Sequence, residues 1–255
     1  MIEARHFSMH YGKKVVFQNL SFSISQGSRV CIIGPNGSGK SSILRAMAGL
    51  HPYGGSLCLG HREISQWKRK ELAGKISMLS QISSVSYFPF TVYDTVLQGT
   101  YLQGETKEKS LEFAQNLLDY FDLSGLLDTP ITELSGGQLQ RVFLVRTFLQ
   151  DTEILLLDEP TSYLDPKYQM DLLHFLQKSH EAQNKITICV LHDLHFALSF
   201  ATHILLLGGE DFWVFGTPQE VLEKENLRHA YGVDILEMAK NESQQWEEFL
   251  ANKNG

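Results

Sequence analysis

Basic residues, cysteines and long apolar runs are all scarce in this chain. Of its 255 residues, 22 are lysine or arginine and 29 aspartate or glutamate, a net charge of −7. That balance argues against a nucleic-acid-binding surface, leaving room only for a local basic patch. Cys31, Cys58 and Cys189 form no even set and show no C-x-x-C spacing. Cys31 and Cys189 lie inside apolar runs and read as small core residues, which suits a reducing cytosol. No apolar run approaches the roughly 20 residues that cross a bilayer. Met1–Arg5 opens no secretory h-region. A chain of this kind serves a membrane only by docking to another subunit. Internal repeats and low-complexity segments are absent too.

What is present suits a globular fold with a substantial core, at 43% apolar content. The length fits one large domain, or one domain carrying an insertion. The stretch that organises it is Gly34-Pro35-Asn36-Gly37-Ser38-Gly39-Lys40-Ser41, which matches the phosphate-binding G-x-x-x-x-G-K-[ST] pattern. Val30–Ile33 before it reads as a buried strand. Ile43, Leu44, Met47, Ala48 and Leu50 after it recur at helical spacing. A strand turning through glycines into a helix start aims backbone N–H groups and the positive end of the helix dipole at one spot. Lys40 is then placed to neutralise β- and γ-phosphates, Ser42 extends the phosphate cradle, and the Ser41 hydroxyl takes a place on Mg²⁺.

Upstream, Tyr11-Gly12-Lys13-Lys14 has hairpin-turn chemistry, and Val15, Phe17, Leu20, Phe22 and Ile24 roughly alternate, predicting antiparallel β structure. Ser56–Gly60 reads as a short edge strand. From about Gln81 to Gln150 the pattern is helical. Val92, Val96, Leu111, Leu117, Leu118, Phe121 and Leu123 share faces, and Thr91 with Asp94 forms a capping box. Ile154–Leu157 and Ile186–Leu191 are continuous apolar runs expected of parallel strands. Asp165-Pro166 opens a helix through Leu172, Leu173 and Leu176. Ile204–Leu207 reads as the last strand, and Thr217-Pro218-Gln219-Glu220 caps another helix.

Two further stations carry chemistry. Asp158-Glu159 stands at the C-terminal end of a central strand, where open α/β sheets bind ligands. There Asp158 can hold Mg²⁺, directly or through water, and Glu159 can accept a proton from an attacking water. Ser135-Gly136-Gly137-Gln138 has capping-box spacing and two glycines at a helix start, a second place where N–H groups can meet a phosphate.

Gly34–Ser41, Leu134–Gln138 and Ile154–Glu159 occur in the order that resembles the ATP-binding cassette family, the ATPase subunits of ABC transporters. The resemblance runs from about Ile2 to Gly232. It implies an α/β fold: a P-loop NTPase core (1–80 and 151–232), an N-terminal antiparallel β subdomain, a helical subdomain inserted at about 81–150, and a tail at 233–255. Tyr11 resembles the aromatic residue that stacks on adenine, and Gln81 the glutamine that faces Mg²⁺. His192 resembles the histidine that hydrogen-bonds the γ-phosphate. Ser162-Tyr163-Leu164-Asp165 resembles the D-loop, with tyrosine where alanine is commoner and Asp165 as helix cap and dimer contact. The family also implies two copies packed head to tail, ATP and Mg²⁺ between them. Membrane permease subunits then form the docking partner, at the cytoplasmic face of the inner membrane, served indirectly by a substrate-binding protein. Phe90–Gly99 and the Gly216–Val233 region resemble importers of iron-siderophore, haem and vitamin B12. Zinc or manganese importers, soluble non-transport ABC ATPases and, more distantly, P-loop kinases or GTPases stand as alternatives.

Overall fold

A computed structural model describes residues 1–81, 90–101, 107–209, 211–235, 237 and 240, with backbone alone at 107–110 and 181–183. Most of the 233–255 tail lies outside these residues. The chain opens with β1 (Ile2–Tyr11) and β2 (Lys14–Ile24), joined through Gly12-Lys13 with Tyr11 opposite Lys14. The alternation expected in β2 is interrupted. Asn19 and His6 have φ of +59° and +48°, the pairing register shifts, and Val16 rather than Val15 is buried. These are bulges, which place two residues on one strand against one on the other.

β3 (Arg29–Ile33) leads through the glycine loop into α1 (Lys40–Met47). β4 (Gly54–Leu59) and β5 (Arg62–Glu63) follow, completing a four-stranded antiparallel sheet in the order β2-β1-β4-β5. The Ser56–Gly60 stretch is therefore not an edge strand, because β5 pairs on its outer side. After α2 (Arg69–Ala73) and β6 (Ile76–Leu79) come the helices α3 (Val92–Leu97), α4 (Lys107–Tyr120) and α5 (Gly136–Phe148). Leu111 departs from expectation, for it is exposed, at 40%. The buried stripe of α4 is instead Ala114, Leu117 and Leu118, continuing to Phe121.

β7 (Ile154–Asp158), α6 (Pro166–Gln183), β8 (Ile186–Val190), α7 (Leu194–Phe200) and β9 (His203–Leu207) build the rest of the parallel sheet. β9 is not the last strand. β10 (Trp213–Gly216) folds back antiparallel on it, before α8 (Pro218–Val221) and α9 (Lys224–Tyr231). The six-stranded order is β10-β9-β3-β8-β7-β6.

Alternate residues of that sheet enter two different cores. Cys31, Ile33, Leu155, Leu157 and Cys189 join the helices, whereas Val30, Ile32, Ile154, Leu156, Ile188 and Val190 join α1 and the antiparallel sheet. Burial on both faces is what a run such as Ile-Leu-Leu-Leu requires. Burial also pushes the Cys31 and Cys189 thiols up, so both behave as core residues. Among the described residues, no helix is long and apolar enough to cross a membrane.

Candidate nucleotide site

The C-terminal ends of four neighbouring strands meet at one cleft of about 700 Å³. β3 delivers the glycine loop, β8 delivers His192, β7 delivers Asp158 and Glu159, and Gln81 follows β6. The loop is cramped from behind. A Cβ on Gly34, φ +146°, would stand 2.2 Å from the Leu207 carbonyl oxygen. One on Gly39, φ +97°, would stand 2.5 Å from Val16. Pro35 and Ser38 complete the turn, with Asn36 and Gly37 at the cleft surface.

Lys40 opens α1 and is only 6% exposed. Its Nζ donates to the carbonyls of Gly34 and Pro35, both at 2.8 Å. Burial lowers its pKa, against the attraction of Glu159 and Asp158. The ammonium group thus sits inside the turn of the loop, tied to the loop's own oxygens.

Asp158 is 1% exposed. The Ser41 hydroxyl donates to its Oδ1 at 2.8 Å, while Oδ2 is buried with no partner in the protein. Burial raises the Asp158 pKa, and the nearby Glu159 charge adds to this. The Ser41 hydrogen bond, Arg45 and Lys40 pull the other way.

Glu159 has φ +51°, and its N–H donates to the Val190 carbonyl at 3.1 Å, pinning it to the end of β8. Its carboxylate gathers three side chains from three segments. His192 Nε2 lies 2.9 Å from Oε1, and Gln81 Nε2 and the Ser162 hydroxyl each donate to Oε2 at 3.2 Å. From behind, the Gln140 amide of α5 donates to the carbonyls of Glu159 and Pro160, at 3.3 and 3.1 Å.

Tyr11 lines the same cleft, with Lys14, Val16 and Ser42. Its hydroxyl shares a hydrogen bond with the Ser42 hydroxyl at 3.0 Å, and its ring meets His51 edge-on, centroids 4.7 Å apart.

The second glycine motif lies elsewhere. Ser135 caps α5, with its oxygen accepting from Gln138 N at 3.3 Å and its own N–H donating to Gln138 Oε1 at 2.9 Å. Ser135, Gly136, Gly137, Gln138 and Asp165 are all absent from the cleft lining. Asp165 caps α6 by accepting from Tyr168 N at 3.2 Å. Two glycine-bearing helix starts therefore face different surroundings in one chain, and only the first meets the carboxylates.

Residues 17–162, more than half of the chain, match the family described as ABC transporter. This chain belongs to the ABC transporter family. As an ATP-binding subunit of that family, it hydrolyses ATP.

Several curated ABC relatives cover nearly the whole subunit. The petrobactin import ATP-binding protein YclP of Bacillus subtilis is 34% identical, over 92% of this chain and 94% of its own. The hemin import ATP-binding protein HmuV of Rhodopseudomonas palustris is 37% identical, over 92% and 91%. The ferric enterobactin transport ATP-binding protein FepC of Escherichia coli is 32% identical, over 92% and 88%. Among solved structures, an inward-facing metal-chelate type ABC transporter superposes with a TM-score of 0.75 at 27% identity, over 91% and 89%. The ATP-binding subunit of another ABC transporter shares the fold at a TM-score of 0.80 and 21% identity, over 94% and 98%.

The ABC site also fits the metal expected of it. The unpartnered Asp158 Oδ2 beside the Ser41 hydroxyl is a pair of hard oxygen donors. Mg²⁺ is ordinarily held by one or two such groups together with substrate phosphates. No cluster of three or more His, Cys, Asp or Glu among the described residues could hold a metal without a nucleotide.

Sequence reasoning missed the site roles of Gln140, Lys14 and His51, and it placed Ser162 in the D-loop without its bond to Glu159. Gln140 carried a signal, because it is a polar residue between the apolar Leu139 and Val142 on the inward side of α5. Ser162 carried another, three residues beyond Glu159 and within reach of a turn.

Proposed function

We propose that this chain energises an importer of metal chelates, of iron-siderophore, haem or cobalamin type. Two copies would pack head to tail around ATP, docked on permease subunits at the cytoplasmic face of the inner membrane. A separate substrate-binding protein would deliver the cargo. The import class rests on the relatives just named, and the chelate class on their shared chemistry of iron-bearing ligands. One observation carries the paired arrangement: the Ser135–Gln138 corner lies off the cleft that holds Lys40 and Glu159. A second copy is the simplest source of a corner that covers the nucleotide.

Within that reading each group has a task. Tyr11 stacks on adenine while its hydroxyl stays on Ser42. The loop N–H groups and Lys40 bind the β- and γ-phosphates, and Lys40 exchanges its bonds to Gly34 and Pro35 for phosphate oxygens. Ser41, Asp158 and Gln81 are the residues that would hold Mg²⁺. Bound there, the ion supplies neutralisation of phosphate charge. Glu159 takes the proton of the attacking water, and His192 orients Glu159 and hydrogen-bonds the γ-phosphate. Loss of that phosphate removes the contacts that join the two copies, which turns chemistry into motion of attached subunits. α3 is the element proposed to meet the permease, since Tyr93 and the adjacent Phe90 are exposed there.

Glu159→Gln should keep ATP binding, lower turnover about 100- to 10,000-fold, and accumulate a dimer in ATP, read by light scattering. Wild-type turnover in that variant would sink Glu159 as the base. Uptake of ferric siderophore and of haem by vesicles carrying the reconstituted complex would decide the cargo. Zinc or manganese uptake instead would remove the chelate class.

A further inference from the structure

Tyr11 ends β1 on the wall of the nucleotide cleft and is 45% exposed. An exposed aromatic ring samples several rotamers, and a ligand that stacks on it must first fix one of them. Two anchors remove that freedom beforehand. The Tyr11 hydroxyl shares a hydrogen bond with the Ser42 hydroxyl of α1 at 3.0 Å. The ring also meets the half-buried His51, with centroids 4.7 Å apart and planes at 67°. Edge contacts of this kind suit the quadrupoles of aromatic rings. His51 itself is absent from the cleft lining and borders a separate cavity of about 730 Å³. It belongs to the turn that follows α1, and that turn is fixed in its own right. His51 Nδ1 lies 2.8 Å from the Pro52 carbonyl oxygen. A carbonyl only accepts, so Nδ1 carries the proton and the bond sets the plane of the ring. Gly54 pairs with Ser8 of β1. Gly55 has φ +79°, and a Cβ there would stand 2.2 Å from the His6 carbonyl oxygen. The Tyr53 ring meets that of Phe7, centroids 5.6 Å apart. The turn is thus strapped to the same strand that carries Tyr11, and His51 and Tyr11 share one platform.

We propose that His51 is a positioning residue for the adenine end of the cleft, holding the Tyr11 ring in the orientation on which a purine stacks. This inference deepens the proposed function and rests on its reading of Tyr11 as the adenine platform. His51 touches no part of the nucleotide. It orders Tyr11 before the base arrives, so that binding no longer bears the cost of fixing the ring. The phosphate end is independent of it, because Lys40 and Ser41 are held by their own bonds to Gly34, Pro35 and Asp158.

Two variants part the ring from its hydrogen bond. His51→Asn keeps an N–H for the Pro52 carbonyl and removes the ring, whereas His51→Phe keeps a ring and removes the N–H. Full-length chains are titrated by calorimetry with ADP and, separately, with inorganic tripolyphosphate, which reports the phosphate cradle alone. His51→Asn should weaken ADP about 2- to 12-fold and leave tripolyphosphate within about 2-fold of the wild type. His51→Phe should bind ADP as the wild type does. In a Tyr11→Ala background, His51→Asn should have no further effect on ADP, since the ring it positions is gone. Wild-type ADP affinity in His51→Asn overturns the proposal, as does an equal loss for both ligands or the same loss in the Tyr11→Ala background. A loss in His51→Phe as large as in His51→Asn also overturns it, because the Nδ1 bond and not the ring would then set the affinity. Tyr11→Ala alone separates the two ideas. If it binds ADP like the wild type, Tyr11 is no adenine platform and this inference falls with that reading. If Tyr11→Ala weakens ADP while His51→Asn does not, only the inference fails.

Discussion

Burial governs Asp158 before any ligand arrives. Because desolvation raises its pKa, the folded chain holds this proton more tightly than the unfolded chain does. The stability this group contributes is therefore complete below the ordinary aspartate value, near 4. It is lost as pH rises through the raised folded value, so at neutral pH the ionised carboxylate is a burden on the fold. Asp158→Asn, still able to accept from Ser41, should raise the melting temperature of the nucleotide-free chain at pH 7.5. The gain should shrink toward pH 4. The same change should abolish Mg²⁺-dependent turnover. A lower melting temperature at pH 7.5 would show that attraction to Lys40 outweighs desolvation. Lys40 carries the opposite sign: burial lowers its pKa, so the site strains against both of its charges when empty of phosphate.

Elements stand or fall on close approaches that composition alone does not reveal. Gly99 follows α3, and a Cβ there would lie 2.3 Å from the Arg146 carbonyl oxygen and 2.8 Å from Leu149 Cβ, both on the α5 side. Gly99→Ala should cost about 1–3 kcal/mol, read as a lower melting temperature, and should loosen α3 first. Hydrogen exchange at Val92 to Leu97 would report that order, and uniform exchange would refute it. The caps were legible in sequence because they are local. Thr91 with Asp94, Ser135 with Gln138 and Thr217 with Glu220 each place donor and acceptor three residues apart, and all three form reciprocal bonds. β4 and β10 were not legible in the same way. An interior position for β4 depends on β5, a two-residue strand too short to leave a pattern. β10 is half-buried along its whole length, so Trp213–Gly216 shows no alternation to read. Leu111 matched helical spacing with the core face, yet among the described residues the stripe that α4 buries starts at Ala114.

For the whole molecule, the glycine loop and the two acids could be read from spacing, since motif and strand are contiguous. The gathering of Gln81, Ser162 and His192 on one carboxylate could not, because it depends on β6, β7 and β8 lying side by side. The family resemblance supplied Gln81 and His192 where spacing alone would not. A test at this scale mixes two kinds of chain. Ser135→Arg paired with Lys40→Ala should leave one competent site if corner and cleft come from different copies, because both lesions fall on the same nucleotide. Either homodimer should be inactive. If corner and cleft belonged to one chain, the mixture would have no intact site, and ATPase assays of purified mixed dimers would find none.

The parallel sheet is also a partition. Odd-numbered residues of β3 and β7 dress one side and even-numbered residues the other, so neighbours such as Leu156 and Leu157 live in separate compartments. Damage on one side should then be curable only from that side. Second-site revertants of a trimmed Leu157 would arise among the helices, and those of a trimmed Leu156 around α1 and the antiparallel strands, a bookkeeping of ancestry by parity.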